Sequence, residues 1–175
     1  MIPWQEKSSE VVFEAGFMKL RKSVSVNPRN GHEGNYYIFS FPDWVTVVPF
    51  TKDHKIVMIR QYRHGSSSYE LELPGGCLEE GEDIVHGGIR ELQEETGGIT
   101  AEFELVGKVR PNPSMQDNWC YTVVAKDVEL TAERNLDLGE DIEVVTMTRE
   151  EVRKAIFEGH LSNTMMISSL YFAGV

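Results

Sequence analysis

Apolar and polar positions alternate with a period of two along much of the first third of the chain, the pattern of strands with one buried face. Residues 10–26 alternate in this way, and the cluster Asn27-Pro28-Arg29-Asn30-Gly31 predicts a turn. Three β-rich runs follow, residues 36–41, 44–50 and 55–62, parted by Pro42-Asp43 and by residues 51–54, so four or five strands precede any helix. The period then lengthens. Val85, Ile89 and Leu92 fall at i, i+4 and i+7 within a stretch from about 82 to 96, and Gly97 stands where a helix C-terminal stop belongs. Strands are expected again over 103–109, 119–125 and 142–147. Thr148-Arg149-Glu150-Glu151 has the spacing of a capping box and opens a second helix. A third starts at Ser162 or Asn163 and carries Met166, Ile167, Leu170 and Tyr171. Gly87-Gly88 lies inside the first helix, where each glycine costs about 1 kcal/mol relative to alanine; close approach of a neighbouring element is the expected reason. Strands first and a mixed body after them predict an α+β fold with helices on a mixed β-sheet.

Composition narrows the class. The 175 residues are one domain's worth of chain, with 41% hydrophobic positions to build a core, and 28 Asp plus Glu against 17 Lys plus Arg give a net charge of −11. A surface this acidic repels phosphate backbones, so nucleic acid is not an expected partner. Cys77 and Cys120 make neither a disulfide framework nor a metal quartet, which suits the cytoplasm. The first residues lack the basic start and apolar run of a signal peptide, and no apolar run approaches the roughly 20 residues of a membrane helix.

The acids are concentrated. Residues 75–97 hold Glu79, Glu80, Glu82, Asp83, Glu91, Glu94 and Glu95 against Arg90 alone, so this segment contributes 1 − 7 = −6 of the total. On a helix Glu91 and Glu95 are about 40° apart, with Glu94 about 60° to the other side of Glu91. Three carboxylates on one face repel one another, and a hard divalent cation resolves the conflict. A solvated acidic face is the ordinary explanation of such a run. Here, however, the glutamates stand in register with Gly76, Glu82, Arg90, Leu92 and Gly97. Each such match arises by chance roughly once in 15 to 20 positions.

At these residues the chain resembles the Nudix hydrolase family, whose box runs Gly, five residues, Glu, seven residues, Arg-Glu, an apolar residue, one residue, Glu-Glu, one residue, Gly, apolar. The last position departs, being Gly98 with Ile99 after it. The resemblance implies an α/β/α sandwich with a mixed sheet, an N-terminal antiparallel β-rich extension over 1–50 and a hydrolase domain over 51–175. It implies Mg²⁺, with Mn²⁺ as substitute, bound by Glu91 and Glu95. Glu94 would be a further ligand or water-holder, the Gly75 carbonyl a backbone ligand, and Glu82 with Arg90 the pair fixing the loop to the helix.

Beyond the box, the chain resembles the ADP-ribose and nucleoside-diphosphate-sugar pyrophosphatases. Pro113, sixteen residues after Gly97, matches a marker proline beside the terminal sugar, and Met115, Gln116 and Asn118 adjoin it. The run Ile59-Arg60-Gln61-Tyr62-Arg63 resembles an arginine-bearing strand that grips the diphosphate, with Arg63 the first choice and Arg60 the second. Gly139-Glu140-Asp141-Ile142-Glu143 resembles a catalytic loop in which Glu140, with Glu143 as fallback, activates the attacking water. The subfamily forms homodimers by swapping N-terminal strands. Trp4, Phe17, Tyr36, Tyr37 and Trp44 offer stacking surfaces, although core or dimer contact explains each of them as well. The expected reaction is Mg-dependent cleavage of ADP-ribose or an NDP-hexose to a nucleoside monophosphate and a sugar phosphate. The alternatives are a dinucleoside polyphosphate or RNA-cap hydrolase of the same fold, or a non-catalytic nucleotide-sugar sensor.

Overall fold

A computed structural model describes all residues, Met1–Val175, as two compact units. The first comprises Met1–Pro42 and Arg110–Trp119. It is built on a three-stranded antiparallel sheet in the order β1 (Gln5–Ala15), β2 (Met18–Val26), β3 (Glu33–Ser40). The alternation over residues 10–26 is therefore a hairpin. The chain reverses at Gly16, whose φ of 56° suits glycine, and the polar-apolar rhythm runs on through the turn. The second reversal falls on the expected Asn27–Gly31 cluster, where the Asn27 side chain accepts from the Arg29 amide at 2.9 Å. Segment Arg110–Trp119 is laced to this sheet. The Phe39 amide donates to the Met115 carbonyl at 2.7 Å, and Asp117 accepts from Ser40 at 2.6 Å and from Arg21 at 3.2 Å.

The second unit, Asp43–Val109 with Cys120–Val175, holds an eight-stranded mixed sheet. Its path is β11 (Ile142–Met147), β5 (Ile56–Arg63), β4 (Trp44–Thr51), β10 (Cys120–Leu130), β8 (Gly98–Ile99). Strand β6 (Ser68–Glu72) pairs with β5, β7 (Gly75–Cys77) with β4, and β9 (Glu102–Val109) with β10. Only β4 and β10 run parallel. Helix α1 (Ile84–Thr96) covers one face, where Leu92 packs with Val47, Ala125 and Val128. Helices α2 (Arg149–Phe157) and α3 (Thr164–Phe172) cover the other. There Val152, Ala155, Met166 and Leu170 close over Val48, Ile56, Met58, Leu71 and Val124. This is the expected α/β/α sandwich, and β4 and β5 are apolar without alternation because both their faces are covered.

One feature of the sheet positions the box. Strands β4 and β5 share a single register pair, Phe50 with Ile56, and diverge beyond it. The run from Ser68 to Cys77 spans the divergence: β6 follows β5, Pro74 ends the pairing, and β7 joins β4 with Gly75 opposite Thr46 and Gly76 opposite Val45. The Pro74 carbonyl accepts from the Val47 amide at 2.8 Å, so the crossing leaves β4 satisfied.

Local rules set the helix ends. Asp83 caps α1 by accepting from the Val85 and His86 amides, Thr148 and Glu151 form the complete capping box of α2, and Asn163 caps α3. Gly87 and Gly88 are both buried: a Cβ on Gly87 would collide with the Leu78 side chain, and one on Gly88 would rest 3.4 Å from Val45 and Val47. Close packing is the reason for the pair. Gly97 ends α1 at φ 70°, and its carbonyl accepts from the Thr131 and Ala132 amides. A Cβ there would strike the Ala132 carbonyl oxygen, whereas Gly159, at φ 78° after α2, has open space around it. Gly97→Ala should therefore destabilise by about 2–4 kcal/mol, combining left-handed strain with a backbone clash. Gly159→Ala should cost only about 1 kcal/mol. Urea unfolding of both variants checks the difference, and equal losses would refute it.

Candidate active site

Arg90, in the middle of α1, holds the site together. Its Nε and Nη2 donate to the two oxygens of Glu82 at 2.9 and 3.0 Å, and its Nη1 donates to Glu91 at 2.8 Å and Glu94 at 3.1 Å. Nη2 also reaches the Cys77 carbonyl at 3.2 Å. Glu82 in turn accepts from the Glu79 amide at 2.9 Å. One guanidinium thus fastens the loop between β7 and α1 to the helix, as the sequence implied for Glu82 and Arg90, and its bonds hold the Glu82 carboxyl below the usual carboxylate range. The glutamates raise the proton affinity of Arg90 in return.

The other acids are turned toward the glycine turn. Glu95 is 2% exposed and accepts from the Gly75 amide at 2.8 Å. The Glu91 carboxylate lies directly over Gly76, 2.5 Å from where a Cβ would stand, so a side chain there would displace the carboxylate from the turn. Gly75, at φ 154°, has the Val45 carbonyl in its own Cβ position, so no side chain fits there either. Burial pushes the Glu95 carboxyl up to about 8. The Gly75 amide and the Arg63 charge oppose the rise, while the charges of Glu91 and Glu140 add to it. Glu91 is also raised, chiefly by burial, against the pull of Arg90.

Glu140 lies in the loop between β10 and β11, within electrostatic reach of both Glu91 and Glu95. That loop is pinned to the end of α1 by the bonds to the Gly97 carbonyl and by the Asn135 amide donating to the Glu94 carbonyl at 3.0 Å. The Glu140 side chain accepts from the Asp137 amide at 3.0 Å.

The two candidate arginines part company. Arg63 shares its face of β5 with buried Ile59 and Gln61 and lies near enough to Glu95 to oppose the rise in its proton affinity. Its Nε donates to Glu72 at 2.8 Å, and its Nη2 is ion-paired with the same carboxylate oxygen at 2.6 Å. Arg60 is on the opposite face, with Glu143 at 3.5 Å, and borders a groove lined also by Tyr69, Leu71, Met147, Lys154 and His160. The structure brings Arg63, Glu91, Glu94, Glu95, Arg90, Gly75 and Glu140 to the α1 side of the sheet and sends Arg60 and Glu143 to the other. Pro113 and Met115 are carried by the first unit, on the segment bonded to β3.

Glu72 was not singled out by sequence reasoning, although it is 2% exposed and holds Arg63. Its signal was an acid between Leu71 and Leu73, just before the Pro74-Gly75-Gly76 turn.

No three acidic, histidine or cysteine side chains are gathered here into a cage around an ion, and Arg90 engages the oxygens of Glu91 and Glu94. The donor set nonetheless suits a hard divalent cation: it consists of carboxylate oxygens, two of them on groups whose proton affinity is raised chiefly by burial.

For Glu95 the folded state favours the neutral acid. Its contribution to stability is whole below its ordinary value of 4.5 and is lost as pH rises from there through about 8. Glu95→Gln keeps an acceptor for the Gly75 amide without the charge. In chelator, its melting temperature should exceed that of the wild type by a margin that widens between about pH 5 and pH 9, reaching roughly 5 °C or more. A constant margin would contradict the burial argument.

Comparison with known proteins bears on the same residues. The NUDIX domain family matches residues 41–165. The methanol dehydrogenase activator of Bacillus methanolicus is 29% identical over 97% of this chain and 92% of its own. The ADP-ribose pyrophosphatase of Bacillus subtilis is 30% identical over 73% of this chain and 69% of its own. A solved structure of an ADP compounds hydrolase superposes with a TM-score of 0.86 at 22% identity, covering 99% of this chain and 93% of that one. Nudix hydrolases in general use divalent metal ions. With its box acids gathered under the glycine turn of an α/β/α sandwich, this chain belongs to the Nudix hydrolase family and is related to ADP-ribose pyrophosphatases.

Proposed function

We propose that the chain hydrolyses the pyrophosphate bond of a nucleoside diphosphate sugar, ADP-ribose or an NDP-hexose, to a nucleoside monophosphate and a sugar phosphate. The observation that carries this reading is the pair of carboxylates, half-buried Glu91 and buried Glu95, set against Gly75-Gly76 with Arg63 and Glu140 on the same side of the sheet. Relatives named ADP-ribose pyrophosphatase and ADP compounds hydrolase support the same substrate class.

Glu91, Glu95, Glu94 and the Gly75 carbonyl would hold Mg²⁺, or Mn²⁺ in its place, which supplies Lewis-acid polarisation of phosphate oxygens and a more acidic water. Arg63 offers the diphosphate a guanidinium held in place by Glu72, which grips the phosphates in substrate and transition state alike. Glu140 takes the proton of the attacking water. A loop carboxylate suits this task because it can advance when substrate arrives. Water oxygen adds to one phosphorus, the bridging oxygen leaves with the other phosphate, and the proton rests on Glu140. Arg90 acts by keeping Glu91 and Glu94 in position.

A second reading rests on one observation. The methanol dehydrogenase activator matches this chain almost end to end, first unit included. The chain would then stimulate a dehydrogenase, with the hydrolytic site as its instrument. The first unit also suits self-association, since Val11, Val12 and Phe13 are each about half exposed on the edge strand β1.

Incubation with Mg²⁺ and a panel of ADP-ribose, ADP-glucose, GDP-mannose, diadenosine polyphosphate and capped RNA, with products separated by chromatography, tests the assignment. Nucleotide sugars should be cleaved preferentially, and chelator should stop the reaction. Glu91→Gln, Glu95→Gln and Glu140→Gln should each lower kcat by about 10²-fold or more without loss of fold. Near-normal turnover of Glu140→Gln would put the base elsewhere, and preference for polyphosphates or RNA would overturn the substrate class. Methanol oxidation by a methanol dehydrogenase, measured with the wild type and with Glu91→Gln, decides the second reading.

A further inference from the structure

Asn163 makes two bonds with opposite ends of one side-chain amide. Its Oδ1 accepts from the Met165 amide at 3.0 Å and so caps α3, while its Nδ2 donates to Glu72 Oε1 at 3.0 Å. Glu72 is 2% exposed, and its other oxygen, Oε2, accepts from Arg63 Nε and is ion-paired with Nη2. The Arg63 side chain remains 43% exposed, with Nη1 outside the pair. A chain of three residues thus runs from the first turn of a C-terminal helix, through a buried carboxylate, to the guanidinium on the box side of β5.

We infer that Asn163 is a positioning residue for anion recognition: by occupying Glu72 Oε1 it fixes the carboxylate plane that aims Arg63 at a diphosphate. The inference rests on the reading of Arg63 as the diphosphate-binding arginine.

Three physical points support it. Burying the Glu72 carboxylate costs desolvation that pairing with a half-exposed Arg63 only partly offsets, so stability alone does not account for the pair at this place. A carboxylate held at one oxygen only is free to rotate about its terminal torsion, which is broad and roughly two-fold, and Arg63 would follow it. The Asn163 amide removes that freedom at no cost to the helix, because the cap uses the oxygen and leaves the nitrogen to spare. Serine or aspartate would cap α3 as well as asparagine does, but neither offers a donor at that nitrogen. A second contact holds α3 to the same strand end: the Leu73 amide lies 3.3 Å from the Met166 sulfur.

The test separates the cap from the aim. Asn163→Ser and Asn163→Thr both keep an N-cap acceptor and shorten the side chain away from Glu72, so both should fold with the melting temperature lowered by a few degrees for the unpartnered Glu72 oxygen. Titration calorimetry with inorganic pyrophosphate and Mg²⁺ should show binding weakened about 5- to 10-fold in each. For a nucleotide sugar, KM should rise by a similar factor with kcat changed less than 2-fold, because an arginine that binds ground state and transition state alike acts on KM. In an Arg63→Ala background, Asn163→Ser should cause no further loss, since the residue it aims is gone. Wild-type affinity in both single variants overturns the inference, as does a loss that persists undiminished beside Arg63→Ala. Wild-type protein that binds no pyrophosphate overturns it together with the role of Arg63. Wild-type protein that binds pyrophosphate but cleaves no nucleotide sugar overturns the proposed activity alone.

Discussion

The arrangement depends on the guanidinium of Arg90. At helical spacing Glu91 and Glu94 would repel each other, and Glu82 lies outside the helix with no reason to approach them. A planar cation with five donors resolves both problems at once, taking Glu82 across two nitrogens while touching Glu91, Glu94 and the Cys77 carbonyl. Lysine, a point charge on a flexible stem, has no such fork. Because Glu91 is held from this side, its carboxylate lies over Gly76, and the loop that follows the turn is tied to the helix that carries the acids.

That knot works only because the sheet opens where it does. With β4 and β5 joined at a single register pair, backbone groups beyond Phe50 need partners, and the run through Pro74 and Gly75 supplies them to β4. The turn is therefore tight against β4, the Gly75 amide is left to Glu95, and α1 can lie close because Gly87 and Gly88 carry no side chain. Glu72 sits at the same crossing. It is the last residue of β6 and a buried acid, and it is satisfied from β5 by Arg63 and from α3 by Asn163.

Much of this was legible in the sequence where the cause is local. The stop at Gly97, the box at Thr148 and Glu151, and the cap at Asn163 depend on neighbours three or four residues away. The box was legible for another reason, since its chemistry needs several residue types at fixed spacing on one turn and one helix. Strand parity went unused: Arg60 and Arg63 are three positions apart, so a strand must send them to opposite faces, but which face meets α1 is decided by packing far along the chain. The hairpin at Gly16 was hidden because alternation continues across a turn. Segment Arg110–Trp119 pairs with β3 through backbone bonds between residues more than 70 positions apart, for which no local pattern exists.

The same geometry explains why the acidic charge is costly and is retained. Residues 75–97 carry −6 of the formal net −11, and burial raises the proton affinity of Glu95 and of the half-buried Glu91, so keeping them ionised in the fold costs free energy. Apolar packing of Leu92 with Val47, Ala125 and Val128, the Asp83 cap and the Arg90 knot offset that cost before any ligand arrives. On the proposed reading, carboxylates already fixed would need little reorganisation to accept a cation, and what they lose in stability would return as affinity for it. The field that the proposed substrate would meet is then that of the acidic helix with a cation bound, to which Arg63, near Glu95, would add a further positive charge.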